Sequence, residues 1–100
     1  MIFAALQEAA DKGELILVDG GLCRWHKRRD GTTVIRELLV LPHCRNNGIG
    51  WRLVANVIAT AGIPVLAKCP ASYVSNGFWR HLGFQLIKEE GTMNTWEYRS

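Results

Sequence analysis

The 100-residue chain is short of the features that announce most functions. It has no Cys-x-x-Cys and no His-x-x-x-His pair, so a metal site is not implied. Its three cysteines, Cys23, Cys44 and Cys69, are odd in number and widely spaced. That pattern argues for reduced thiols and against a disulfide frame. No apolar run approaches the roughly 18 residues of a membrane helix. The N-terminus lacks the basic, apolar and small-residue layout of a signal peptide, and the cytoplasm follows as the default location. Repeats, linkers and low-complexity segments are missing, and the length suits one domain, residues 1–100. Charge of one sign is also scarce. A net charge of +3 suits an anionic small ligand and does not by itself imply nucleic acid. Hydrophobic residues at 48% and charged residues at 21% fit an ordinary soluble domain.

What is present can be read in order. Phe3, Leu6, Ala9 and Ala10 recur at helical spacing within residues 2–12, and Gly13 stops the helix. Leu15 to Val18 is a short apolar strand closed by Asp19-Gly20-Gly21. Residues 22–28 alternate, with Leu22, Arg24, His26 and Arg28 on one face and Cys23, Trp25 and Lys27 on the other. Asp30-Gly31 is a hairpin turn, and residues 32–41 form the return strand. Residues 15–41 therefore predict a three-stranded antiparallel meander. A helix over Trp51 to Ala61 puts Leu53, Val54, Val57 and Ile58 on one face, and Gly62 closes it. The strand at Val65-Leu66-Ala67 is expected parallel to the one before the helix, because a helix crosses over between them. A helix over Ser72 to Leu82 and two last strands, near 84–88 and 94–99, complete an α-β-β-β-α-β-α-β-β order.

The most informative segment is Val40-Leu41-Pro42-His43-Cys44-Arg45-Asn46-Asn47-Gly48-Ile49-Gly50. A strand ends at a proline, a polar turn follows, and two glycines open a helix. Glycines there let backbone approach a ligand closely. The unpaired N–H groups of a first helical turn attract phosphate, and Arg45 adds a planar cationic fork. A P-loop is excluded because Trp51 and Arg52, not Lys and Ser/Thr, follow Gly50. The dinucleotide fingerprint is excluded because Leu53 stands where its third small residue belongs.

Val40, Pro42, Arg45, Gly48 and Gly50 fall in register with Val-x-Pro-x-x-Gln/Arg-x-x-Gly-x-Gly/Ala. This resembles the acyl-coenzyme A loop of the GNAT superfamily of N-acetyltransferases. Asn76-Gly77-Phe78-Trp79-Arg80-His81-Leu82-Gly83-Phe84 resembles the second signature of that family, a helix ending in aromatic-x-x-Leu-Gly-Phe. The two signatures and the elements between them span residues 34–88. The resemblance implies an α/β (α+β) fold with a mixed, mostly antiparallel sheet, a central parallel pair and flanking helices. It also implies a shortened N-terminus, hence an open acceptor site or one completed by a second copy, and a homodimer is favoured.

The implied activity is transfer of an acetyl group from acetyl-CoA, the co-substrate, to an amine of a small molecule or protein by direct attack. The parallel strands are expected to splay after Leu41. Backbone groups at Leu39, Val40 and Leu41 are expected on the pantetheine arm, with one N–H polarising the thioester carbonyl. Arg45, Asn46, Asn47, Gly48, Ile49 and Gly50 are expected on the pyrophosphate. Glu37 is the carboxylate placed to take the amine proton, with His43 and His81 behind it. The family tyrosine that protonates the leaving thiolate is Trp79 here. An indole N–H is a poor acid, though it can donate a hydrogen bond. The residue Asn that commonly opens that helix is Ser72. Two alternatives stand beside catalysis. One is a non-catalytic acyl-CoA binder. The other is an interaction module using the basic run Arg24, His26, Lys27, Arg28 and Arg29.

Overall fold

The computed structural model describes residues 2–45 and 47–99, and the side chains of 4–45 and 47–99. The elements are α1 (Ile2–Asp11), β1 (Leu15–Val18), β2 (Gly21–Lys27) and β3 (Thr33–Val40), then a 3₁₀ turn at Pro42–Cys44. They continue with α2 (Ile49–Ala61), β4 (Val65–Pro70), α3 (Ser75–His81), β5 (Gln85–Glu90) and β6 (Met93–Tyr98). Six strands form one sheet in the order β1-β2-β3-β4-β6-β5. Only β3 and β4 run parallel, joined through α2, and the other pairings are antiparallel. The mixed sheet with a central parallel pair is thus as the sequence implied. Among the described residues, no helix is long and apolar enough to cross a membrane.

The meander contains one device that simple alternation does not show. Arg24 pairs with Glu37 and Trp25 with Ile35, so Arg36 is an extra residue in β3. This β-bulge shifts the phase of the strand by one. Ile35, Leu38 and Val40 consequently share the core face, although their spacing is three and then two. Without the extra residue Leu38 and Val40 would face away from it.

α2 packs its apolar stripe on that face. Leu53, Val54 and Val57 are fully buried, beside Cys23, Val65 and Trp96. Its C-terminus is held twice. Gly62, at φ +84°, donates its amide to the Ile58 carbonyl at 2.9 Å, and Lys27 Nζ donates to the Ala61 carbonyl at 2.8 Å. A cation at that end also meets the negative pole of the helix.

α3 is shorter than the sequence pattern suggested, beginning at Ser75 where a start at Ser72 was expected. The reason is Asn76. Its amide group donates to the carbonyls of Pro70 at 2.9 Å and Tyr73 at 2.7 Å, and its Oδ1 accepts from Trp96 Nε1 at 2.9 Å and Asn94 Nδ2 at 3.1 Å. A side chain that satisfies turn carbonyls stabilises the turn over a further helical turn. The other end follows expectation. Gly83, at φ +95°, donates to Arg80, and Phe84 donates to Trp79, both at 3.1 Å. These two bonds make a Schellman motif, with Phe84 buried as its apolar anchor.

Candidate active site

β3 and β4 stay together for only three residue pairs, Thr33–Val65, Val34–Leu66 and Ile35–Ala67. Beyond them β4 keeps its pairing with β6 through Pro70, while β3 follows β2 through the bulge. The two strands therefore part after Ile35, not after Leu41 as the sequence led us to expect. The bulge supplies the reason: it bends β3 away just where the parallel pairing stops.

The parting opens a cleft of about 1220 Å³. One wall is the end of β3, another the start of α2, and the third the turn and helix from Ser72 to Leu82. Leu41 donates its amide to the Gly20 carbonyl at 2.8 Å. Backbone groups alternate along a strand, so Leu39 and Leu41 direct theirs toward β2, and Leu38 and Val40 direct theirs into the gap. Of the expected set, Leu39 and Leu41 thus turn their main-chain groups to β2, and Val40, with Leu38, turns its own toward the gap. The signal was available in the parity of residues counted from the Gly20–Gly21 turn. Val40 keeps its place, with its carbonyl accepting from Arg45 Nε at 3.3 Å.

The two glycines do different work. Gly48 is the N-cap of α2 at φ +76°, and a Cβ there would meet open space. Conformation, not crowding, requires glycine at that position. Among the described residues no side chain caps this helix end, and the first turn carries no acidic residue. The Arg52 amide is the one that closes onto the Gly48 carbonyl, at 3.0 Å. The amides of Ile49, Gly50 and Trp51 are left at the positive end of the helix, beside the cleft. Gly50 is buried, and a Cβ on it would lie 2.9 Å from the Phe78 ring. Its lack of a side chain lets α3 close against α2, whereas the sequence had suggested room for a ligand. Asn47 lies in the same bend. Asn46, expected to contact the pyrophosphate, lies outside the described residues.

Glu37 does not line the cleft. It stands on the opposite sheet face, where its Oε1 accepts from Arg24 Nε at 3.0 Å and Nη2 at 2.7 Å. Trp79 is 6% exposed and packs against Phe78 and Phe84, with ring centroids 5.0 Å from each. Its neighbours Phe78, His81 and Leu82 reach the cleft, and Trp79 does not. The sequence placed it at the thiolate; core packing takes it instead, because the indole fills the space under α3. His43 is also outside the lining.

Tyr73, near the second signature in sequence but at a different helical angle from the family tyrosine, lines the cleft with Val74, which sequence reasoning missed; they are 59% and 97% exposed. The clue was Pro70 followed by large apolar residues in a turn. Cys44 lines the cleft and fills the space over Gly20, where a Cβ would come within 2.7 Å of its sulfur. All three cysteines are free thiols, and burial pushes Cys23 up to about 12. The basic run proves to be divided among structural duties. Arg24 pairs with Glu37, His26 Nδ1 lies 3.0 Å from Glu14, and Lys27 holds the end of α2. Only Arg28 and Arg29 remain as an exposed basic pair at the hairpin.

Comparisons with known proteins agree with this geometry. Residues 2–86 match the family model described as an acetyltransferase (GNAT) domain. Comparison of the sequence with curated proteins gives no match. A Bacillus anthracis acetyltransferase assigned to streptothricin, solved with acetyl coenzyme A, superposes with a TM-score of 0.82 at 17% identity. The match covers 95% of this chain and 68% of that one. PaiA N-acetyltransferase from Thermoplasma acidophilum, solved with coenzyme A, gives 0.76 at 14% identity, over 94% of this chain and 66% of that one. A Staphylococcus aureus acetyltransferase of the GNAT family gives 0.69 at 18% identity, over 78% of this chain and 58% of that one.

Proposed function

This chain belongs to the GNAT acetyltransferase family, and from that premise we propose that it transfers an acetyl group from acetyl-CoA to an amine. The observation that carries the reading is the opened gap between β3 and β4 beside an uncapped helix N-terminus. In it the pyrophosphate sits on the amides of Ile49, Gly50 and Trp51, with Arg45 and Asn47 alongside. The pantetheine arm runs along the gap-facing main-chain groups of Leu38 and Val40, as an added strand would, with Arg45 giving up the Val40 carbonyl to it. One of their N–H groups polarises the thioester carbonyl.

The amine attacks that carbonyl directly. A C–N bond forms, the C–S bond breaks, and the acetyl group passes to nitrogen. The amine proton goes to Glu37, whose Oε1 is engaged by Arg24 and whose Oε2 is left to accept it. The thiolate is a stable leaving group and takes its proton from water. Trp79 contributes by holding Phe78 against Gly50, which fixes the cleft wall.

Acetyl-CoA raises the melting temperature on this reading, and mixing with amines releases free thiol. No shift at millimolar acetyl-CoA rejects it. A second reading is favoured by the burial of Trp79, which keeps it out of the cleft: a chain that binds acyl-CoA without transfer. It gives the same melting shift and no thiol.

A further inference from the structure

The sheet face opposite the core carries a row of three leucines, the outer two exposed and the middle one half-buried. Leu17 pairs with Leu22 and Leu22 with Leu39, so the three stand side by side across β1, β2 and β3. Leu17 is 68% exposed and Leu39 49%. They alternate with core residues, since Cys23 and Leu38 on the same strands point the other way. Exposed apolar groups in one contiguous row mark a binding surface more than a chance feature.

Two observations say what covers it. The first is continuity. Leu39 belongs both to the row and to the cleft rim, while α2 and α3 occupy the core face around the gap. A nucleophile meeting a thioester held in that gap has the leucine face as its open approach. The second is charge. One step along the strands, the next row is Leu15, Arg24 and Glu37. Glu37 offers one carboxylate, already shared with Arg24. Arg36, in the bulge beside it, is exposed and has no ion-pair partner among the described residues. One ammonium group fits beside Glu37, and a second cationic centre meets arginine.

We propose that the leucine row is the acceptor site and that it selects monoamines with an apolar body over polycationic amines. This rests on the acetyl-transfer reading above. The amine nitrogen lies toward Glu37, and the aliphatic or aromatic body lies on Leu17, Leu22 and Leu39. Differences of one or two buried methylene groups give about 10-fold or more in such discrimination.

The test compares 2-phenylethylamine and hexylamine with spermidine and kanamycin as acceptors, by thiol release with acetyl-CoA. Melting shifts with acetyl-CoA and sedimentation velocity accompany it, for the wild type and for Leu22→Lys. The expected result is a kcat/KM at least about 10-fold higher for the apolar monoamines, lost in Leu22→Lys while the acetyl-CoA melting shift persists. Absence of the melting shift in the wild type overturns the acetyl-transfer reading itself. A normal shift with spermidine or kanamycin preferred overturns the acceptor-site inference alone, and a normal shift with no amine accepted overturns it together with acetyl transfer, in favour of binding without transfer. A dimer that Leu22→Lys converts to monomer also overturns the acceptor-site inference, since the row then belongs to a subunit interface.

Discussion

The two ends of the β3–β4 pair are built from similar residues and do opposite things. At the closed end, Thr33, Ile35, Val65 and Ala67 are buried, α2 covers them, and Trp96 lies beside Ala67 at 1% exposure. At the open end, Leu39, Leu41, Trp51, Tyr73 and Val74 are all 41% exposed or more. Hydrophobicity is equal in the two places. What differs is hydrogen-bond partnership: the closed end has a neighbouring strand, and the open end faces the cleft. Stability is thus concentrated at one end, and the proposed coenzyme site lies at the other.

Substitutions at each end test that division. Trp96→Ala, at the closed end, is expected to cost about 3–5 kcal/mol in urea unfolding, since it empties a filled core and removes one of the two donors to Asn76 Oδ1. A loss under about 1 kcal/mol would contradict the assignment of stability to that end. The glycines come next. Gly50→Ala pushes a Cβ into the Phe78 ring and should cost about 1–3 kcal/mol, with part of the loss recovered by Phe78→Leu. Failure of that rescue would mean the ring is not the obstacle. Gly48→Ala should cost about 1 kcal/mol through its positive φ alone. Gly48→Glu should add little instability to that and abolish the melting shift with acetyl-CoA, because it sets a carboxylate where diphosphate would sit.

Two smaller effects sharpen the contrast through the cysteines. Burial holds the Cys23 thiol up at about 12, against an ordinary value of 9.0. The folded state therefore keeps a proton that the unfolded chain releases. The stabilisation is complete below pH 9.0 and is lost as pH rises toward 12. Denaturation midpoints should fall over that range, less steeply in Cys23→Ala. An equal slope in both proteins would assign the alkaline loss to other groups. Cys44, at the open end, should alkylate in the native protein and be shielded by coenzyme A, whereas Cys23 reacts only on unfolding. Unchanged labelling of Cys44 with bound coenzyme would put the ligand elsewhere.

Much of this architecture is legible along the chain. Alternation at residues 22–27, the Asp30-Gly31 turn and the stripe Leu53, Val54, Val57 are local patterns, and each became the element it predicts. Gly83 was readable as a helix stop because only glycine adopts its φ without strain. The misses share a cause. The bulge at Arg36, the early parting of β3 and β4, and the engagement of Glu37 by Arg24 each depend on a partner on another strand, and the delayed start of α3 rests on Asn76, which Asn94 and Trp96 hold from β6. Trp79 was read as facing a ligand and instead packs between Phe78 and Phe84, while Gly50 is pressed by Phe78 of α3 as well as lining the cleft.

By itself the sequence determined the order of elements, the glycine stops after α2 and α3, and the presence of a glycine bend ahead of α2, because these follow from backbone preference and the period of apolar residues. Tertiary structure alone decided which main-chain groups remain without a partner. Leu38 and Val40 face a gap, and Leu39 and Leu41 do not, because β2 takes one side of β3 while β4 leaves the other. A residue's type cannot encode that choice; it arises when strands far apart in the chain compete for the same hydrogen bonds.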